Sequence, residues 1–85
     1  MENQANTIGP GALVEYIVHN LVEYPGEVRI TQIEGDEENI IELRVAESDV
    51  GKVIGKNGSV ARALRTLISA LATKERKNYI LEIID

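Results

Sequence analysis

Residues 53–59 read VIGKNGS, with two glycines three positions apart around a lysine and an asparagine. An apolar pair opens this segment, and a long amphipathic run follows it. Gly55 and Gly58 permit a sharp backbone turn and carry no Cβ that would keep a partner at a distance. Three interpretations fit such a loop: the phosphate loop of an enzyme, a turn between helices, and a clamp on a nucleic-acid backbone.

The spacing of the glycines excludes the nucleotide-binding motifs. A phosphate loop requires G-x-x-x-x-G-K-[ST] after a strand, whereas Lys56 precedes the last glycine here. The G-x-G-x-x-G fingerprint also fails on spacing, and 85 residues are too few for a dinucleotide fold. A loop at the start of a helix can still attract anions through unpaired N–H groups, with Lys56 adding a cation and Asn57 an amide. On the tetrapeptide alone, a plain turn with glycine as the cap is favoured.

The flanking sequence alternates between helical and strand periodicity. The predicted elements are a helix over 12–22, strands over 28–33 and 40–46, helices over 50–54 and 59–74, and a strand over 79–84. Gly9 to Gly11 form the helix entry, residues 24–26 end the first helix, and Ser48 or Asp49 caps the short one. The order α-β-β-α-α-β predicts an α+β fold with the helices packed on one face of a three-stranded sheet.

The apolar pattern also predicts which side chains face inward. On the first strand we expect Val28, Ile30 and Gln32 to share one face, and residues 34–39 to form the turn of a β-hairpin. The predicted inward residues of the second strand and of the last helix are Ile41, Leu43 and Val45, and Val60, Leu64, Leu67, Ile68 and Leu71.

Charge is distributed unevenly along the chain, whose net charge is −5. Residues 1–49 hold eleven acids and two bases, whereas residues 50–77 hold seven bases and one acid. This asymmetry favours an anionic partner on one side of the fold, and a solvated surface of mixed charge is the alternative.

Length and composition restrict the class of protein. We expect residues 1–8 to be a flexible N-terminus and 9–85 to form a single domain. No apolar run approaches the ~18 residues of a membrane span, the N-terminus lacks the pattern of a signal peptide, and there is no cysteine. We therefore expect a cytoplasmic protein without a membrane partner or a disulfide.

No set of residues predicts catalysis. His19 is the one histidine and has no carboxylate or serine arranged around it. The acids at positions 36–38 lack the spacing of a calcium loop and are expected to be solvated. We therefore expect no enzymatic activity, no cofactor and no metal.

Within its flanks the loop resembles the signature of the KH (K-homology) domain, V-I-G-x-x-G-x-x-[IVA]. The matching residues are Val53, Ile54, Gly55, Gly58 and Ala61. A helix and strand before the core resemble the type II, prokaryotic arrangement over about residues 11–84, and the length is similar to that of the small bacterial KhpA family. The resemblance implies a type II KH fold that holds about four nucleotides of single-stranded RNA, or of single-stranded DNA.

The resemblance also implies a set of binding residues. Those expected at the RNA site are Lys52, Val53, Ile54, Gly55, Lys56, Asn57, Gly58, Ser59, Val60, Ala61, Arg62, Arg65, Lys74, Lys77 and Tyr79. In this set the two glycines admit phosphates, Lys56 and Asn57 contact them, and the apolar residues form a wall for bases. Arg62 and Arg65 are expected phosphate contacts, with a solvated helix face as the alternative.

Aromatic residues are scarce, and of the three tyrosines only Tyr79 is expected near the groove. Because stacking contributes about 1–3 kcal/mol per base, we expect weak, salt-sensitive binding of low sequence specificity that needs a second domain. The family resemblance implies a homodimer, a larger KH-containing Jag-type partner, and a role as RNA chaperone or post-transcriptional regulator. The alternative is a protein-interaction module for which RNA contact is incidental. The small residues Ala61, Ala63, Ala70 and Ala72 would permit close approach of another backbone.

Overall fold

A computed structural model describes residues 9–84, so the predicted flexible N-terminus at 1–8 lies outside the described residues. The elements in chain order are α1 (Pro10–His19), β1 (Arg29–Glu34), β2 (Asn39–Arg44), α2 (Val50–Ile54), α3 (Ser59–Glu75) and β3 (Tyr79–Ile84). The predicted α-β-β-α-α-β order is confirmed. No helix within residues 9–84 has the length and apolar character needed to cross a membrane.

The three strands form one sheet in the order β1-β2-β3. β1 and β2 are antiparallel and form the predicted hairpin, whose turn is closed by the Gly35 N–H donating to the Glu38 carbonyl at 2.9 Å. β2 and β3 are parallel, with Ile41 beside Leu81. β3 is therefore an edge strand, and its outer edge is available to other parts of the fold.

The core lies between the helices and one face of the sheet. Its buried residues are Val14, Val18, Val28, Ile41, Leu43, Val53, Leu64, Ile68 and Leu81. Full burial of such an aliphatic side chain contributes about 1.5–3 kcal/mol, so this layer provides the main stabilisation of the fold. The prediction that the helices pack on one face is confirmed.

The first strand presents the predicted face to α1. Ile30 pairs with Leu43 and Gln32 pairs with Ile41, so these side chains share the covered side of the sheet. A Cβ at Gly11 would lie 2.7 Å from Oε1 of Gln32, and glycine therefore lets the start of α1 approach β1. The strand boundaries differ slightly from the prediction: β1 begins at Arg29, and β2 ends at Arg44 rather than at residue 46.

The first helix ends at His19, three residues earlier than the pattern predicts. The side-chain amide of Asn20 donates to the Tyr16 carbonyl at 2.8 Å, and this bond satisfies a carbonyl at the end of the helix. Leu21, which was expected on the apolar stripe, is 41 % exposed. The sequence pattern extends beyond the end of α1 because it depends only on the spacing of apolar residues. It does not include the hydrogen bond by which the Asn20 side chain competes for a backbone carbonyl.

The inward face of α3 is displaced from its predicted position. Ala61, Leu64, Ile68 and Ala72 are the buried residues of this helix. Leu67 was predicted to face inward and is 46 % exposed, so that prediction is wrong. The buried stripe includes Ala61 and Ala72 near the two ends of the helix, and it is rotated toward them.

Candidate nucleic-acid interface

The loop between α2 and α3 has an unusual backbone. Gly55 (φ 80°, ψ 170°), Asn57 (φ 55°, ψ 27°) and Gly58 (φ 76°, ψ 15°) all have positive φ. The conformation of Gly55 belongs to a region that essentially only glycine adopts, whereas asparagine tolerates the left-handed region. The local conformation thus explains the residue types at three of the four loop positions.

The two glycines have different steric surroundings. A Cβ at position 55 would lie 2.5 Å from Cγ2 of Val60 and 2.7 Å from its backbone nitrogen. At Gly58 the nearest atom to such a Cβ would be Nη1 of Arg62, at 3.3 Å. Gly55 is therefore required by packing within the chain, and Gly58 lies where a partner can approach the backbone.

Arg62 braces the loop from the first turn of α3. Its Nη1 donates to the Asn57 carbonyl at 2.7 Å, and the side chain is exposed. Lys56 and Asn57 are also exposed, as is Ser59 at the first position of the helix. The structure therefore brings Lys56, Asn57, Ser59 and Arg62 together around one short turn.

Asp49 anchors the start of α2 and has no counterpart among the predicted site residues. Its carboxylate is fully buried and accepts the backbone N–H groups of Glu23 and Tyr24, each at 3.0 Å. It makes no capping bond within its own helix, so the predicted cap is wrong. In the sequence, only its position directly before a short apolar helix marks Asp49. Its role could not be predicted from that position, because its partners lie some 25 residues away along the chain.

The pKa of the Asp49 carboxyl lies below its ordinary value. Burial alone would raise the pKa, but the two backbone N–H donors and the Lys52 ammonium outweigh that effect. Lys52 donates to Oδ1 of Asp49 at 3.1 Å and lies 3.9 Å from Glu23. The Lys52 side chain is 48 % exposed, and its charge is already balanced within the protein.

Only part of the predicted apolar wall is accessible. Val53 is fully buried and Ala61 is 5 % exposed, so both belong to the core. Ile54 is 39 % exposed, and Val60 is half-buried beneath Gly55. Ile54 and the accessible part of Val60 are therefore the apolar surface that the loop offers.

A groove separates α3 from the outer edge of β3. Arg65 crosses it, with Nη2 donating to the Leu81 carbonyl at 3.1 Å. A cavity of about 210 Å³ lies beside this contact and is lined by Arg65, Ile68, Ser69, Tyr79, Ile80 and Leu81. Because residues three and four apart share a helix side, Arg62, Arg65 and Ser69 form a polar line from the loop into the groove.

Tyr79 lies at the far end of the groove and is half-buried. Its hydroxyl donates to Oε1 of Glu75 at 3.1 Å. Burial raises the pKa of the Tyr79 phenol, and the hydrogen bond and charge of Glu75 and the charge of Glu34 raise it further. The ring is thus neutral at physiological pH, with two carboxylates nearby.

Acidic and basic side chains lie together at the end of α3, although most acids and most bases are in different parts of the sequence. Arg76 and Lys77 share a cleft of about 390 Å³ with Glu34, Asp36 and Glu37 of the hairpin turn. Lys74 is nine positions from Arg65, which at about 100° per residue places the two on opposite sides of α3. The basic segment therefore does not form one continuous surface, and Lys74 lies away from the groove.

The sheet with a parallel β2–β3 pair, the preceding helix and hairpin strand, and the GxxG turn between α2 and α3 define a type II KH domain. The family profile described as "KhpA/KhpB, KH domain" matches residues 11–83. The chain belongs to this family.

Relatives match over nearly their whole length. The "RNA-binding protein KhpA" of Treponema pallidum (strain Nichols) is 56 % identical over 73 residues, which cover 86 % of this chain and 91 % of the relative. The proteins of that name from Borreliella burgdorferi and Clostridium acetobutylicum are 51 % and 49 % identical, covering 86 % and 85 % of this chain and 89 % and 96 % of theirs. No solved structure matches the chain at a significant level.

Proposed function

We propose that this protein binds single-stranded RNA, holding about four nucleotides in the groove between α3 and β3 while the GKNG loop clamps the phosphate backbone. The observation that carries the proposal is the loop itself. Packing against Val60 holds Gly55 in a conformation specific to glycine, and Lys56 and Asn57 are left exposed at the start of a 17-residue helix. The names of the relatives, RNA-binding proteins, support RNA as the ligand.

The contacts divide by their surroundings. Lys56, Asn57 and Arg62 are exposed around one turn and are assigned to phosphates, with the N–H groups at the start of α3 adding to the site. Ile54 and Val60 offer apolar contact to the sugar and base beside the loop. Lys52 contributes less because its ammonium is paired with Asp49.

The far end of the groove is less favourable for RNA. Lys77 lies in a cleft with acidic side chains, and Tyr79 has Glu75 as its hydrogen-bond partner. Carboxylates at this end repel phosphates, so the footprint is short and the affinity of one domain is low. Such binding suits a cytoplasmic RNA chaperone or post-transcriptional regulator without catalytic activity.

A dimer would compensate for low affinity by joining two grooves. Leu67 is 46 % exposed on α3, and Ala63 and Ala70, within four positions of it, are exposed as well. This apolar strip lies on a different side of the helix from Arg65, so that a second helix can pack there while the groove stays open. The same strip is assigned to a homodimer or to a larger KH-containing Jag-type partner.

A protein-interaction module is the second candidate. The exposed strip around Leu67 and the mixed charge near Lys77 favour it, since neither requires RNA. In this alternative the KH fold provides a surface for binding another protein, and the GKNG loop only connects α2 to α3.

The test is a titration of a labelled single-stranded RNA octamer, followed by fluorescence anisotropy at two salt concentrations. Lys56→Glu and Arg44→Glu make the same change in net charge, the first in the loop and the second at an exposed position on the face of the sheet away from the helices. We expect Lys56→Glu and the double variant Lys56→Asp/Asn57→Asp to lose affinity by about tenfold or more, and Arg44→Glu to lose little. Aspartate tolerates the left-handed backbone at position 57, so the loop keeps its conformation. Equal binding by the wild type and the loop variants would exclude the groove mechanism, and no wild-type binding would favour the interaction module.

A further inference from the structure

Arg65 is held against the wall of the groove instead of extending freely into solvent. Its guanidinium Nη2 donates to the Leu81 carbonyl at 3.1 Å, which links α3 to β3. In the described sheet β3 pairs with β2 alone, and the Asn39 N–H at the start of β2 donates to the Asn78 carbonyl at 2.7 Å. Because successive carbonyls of a strand point in alternate directions, the Leu81 carbonyl, three residues later, points to the outer edge of the sheet, beside the groove. A phosphate contact on a solvated helix face would need no such attachment.

The cavity beside Arg65 has the dimensions and lining of a site for one flat ring. Its volume of about 210 Å³ is smaller than the roughly 300–1,000 Å³ of sites for drug-sized ligands. Ile68 and Leu81, which are 2 % and 3 % exposed, form an apolar floor. A base lying on this floor would bring its polar edge to Arg65.

The polar groups at this position are mainly donors. A guanidinium has five N–H donors and no acceptor, and only one donor is engaged with Leu81. That bond occupies one of the two lone pairs of the Leu81 carbonyl, so this backbone acceptor is only partly open to an exocyclic amine. The Tyr79 hydroxyl donates to Glu75, and the Ser69 hydroxyl serves either role, so neither side chain reverses the preference.

We propose that Arg65 reads a base and favours guanine over adenine at this position of the groove. Guanine presents O6 and N7 as two adjacent acceptors that match the fork of a guanidinium, whereas adenine places an amine where guanine has O6. Bidentate recognition of this kind discriminates by about fivefold or more. The inference rests on the proposed RNA binding and adds a base preference to it.

The experiment compares two octamers of equal length and charge, alternating adenosine–guanosine and all-adenosine, neither of which is self-complementary. Anisotropy titrations use the wild type, Arg65→Lys, Arg65→Gln and Lys56→Glu. We expect the wild type to bind the guanosine octamer at least about fivefold more tightly. Both Arg65 variants should bring the ratio close to one, although Arg65→Lys retains the positive charge. Lys56→Glu should weaken both octamers and leave the ratio unchanged.

A third octamer with 7-deazaguanosine tests the wild type directly, because it lacks the N7 acceptor, and it decides the matter if an Arg65 variant fails to fold. We expect it to bind more weakly than the guanosine octamer. Equal wild-type affinity for guanosine and adenosine, equal affinity for guanosine and 7-deazaguanosine, or a retained ratio in Arg65→Lys would overturn base reading while RNA binding stands. If the wild type bound none of the octamers, the proposed function and this inference would fail together.

Discussion

Gly55 and Val60 approach so closely that a Cβ at position 55 would lie 2.5 Å from Cγ2 of Val60. The side chain of Val60 in turn packs against the core. The turn that presents Lys56 and Asn57 is therefore fastened to the hydrophobic layer through a glycine. Its conformation is set by the folded chain before any ligand arrives.

This contact predicts unequal effects of alanine at the two loop glycines. Gly55→Ala combines a backbone strain of about 1–3 kcal/mol with steric overlap of about 1–3 kcal/mol, so its free energy of unfolding should fall by about 3 kcal/mol or more. Gly58→Ala has the strain of a left-handed residue alone, about 1–2 kcal/mol. Urea unfolding followed by circular dichroism measures both. Equal losses for the two variants would contradict the packing role of Gly55.

Asp49 should make the stability of the protein depend on acid pH. Because the folded pKa lies below the ordinary value, the stabilising effect of the ionised carboxylate is fully present above about pH 4 and is lost as pH falls through the folded pKa. Asp49→Asn should be less stable at neutral pH and should approach the wild type as the pH decreases. Thermal unfolding at a series of pH values measures this difference.

Asp49→Ala should be less stable than Asp49→Asn at neutral pH. The alanine leaves the Glu23 and Tyr24 N–H groups without the acceptor that they have in the wild type, whereas asparagine retains an oxygen. If the difference in stability between the wild type and Asp49→Asn stays constant from pH 7 to pH 3, the charge of the carboxylate does not contribute to stability.

The salt dependence of RNA binding should reflect a small number of phosphate contacts. Each contact with single-stranded nucleic acid contributes about −0.7 to the slope of log K against log salt concentration. With Lys56 and Arg62 as the principal cations, a slope between about −1 and −2 is expected for one domain. Lys56→Ala should make the slope less steep by about 0.7, while Arg44→Ala should leave it unchanged. Equal slopes for the wild type and Lys56→Ala would remove this lysine from the phosphate site.

Leu67 should control self-association. Light scattering at micromolar concentration is expected to give the mass of a dimer for the wild type and of a monomer for Leu67→Asp. Leu21→Asp is the matched control, since Leu21 is 41 % exposed but lies beyond the end of α1. RNA affinity should fall with Leu67→Asp through the loss of a second groove. If the wild type is a monomer, or if Leu21→Asp dissociates the dimer and Leu67→Asp does not, the dimer contact around Leu67 is wrong.

Local sequence patterns correctly predicted the helices and strands but misplaced some of their ends. The short α2, the GKNG turn and β3 have the predicted bounds because strong local signals, periodicity and glycine, define them. The end of α1 depended on the Asn20 side chain bonding to Tyr16, a competition that apolar spacing does not record. The inward face of α3 was predicted to include Leu67 because periodicity gives little weight to small residues, whereas the buried stripe includes Ala61 and Ala72.

The sequence by itself determined the α-β-β-α-α-β order, the hairpin and the GxxG turn, because each follows from interactions between residues close together in the chain. Only the tertiary structure decided which charges remain available to a ligand. It buried Asp49 under Glu23 and Tyr24, paired Lys52 with that carboxylate, and placed Lys77 beside the acids of the hairpin turn. It also attached Arg65 to Leu81 across the groove. Apart from Lys52 and Asp49, which are three positions apart, these pairs are distant in the chain. The free energy of an ion pair or hydrogen bond also depends on separation and burial, which a linear sequence does not contain.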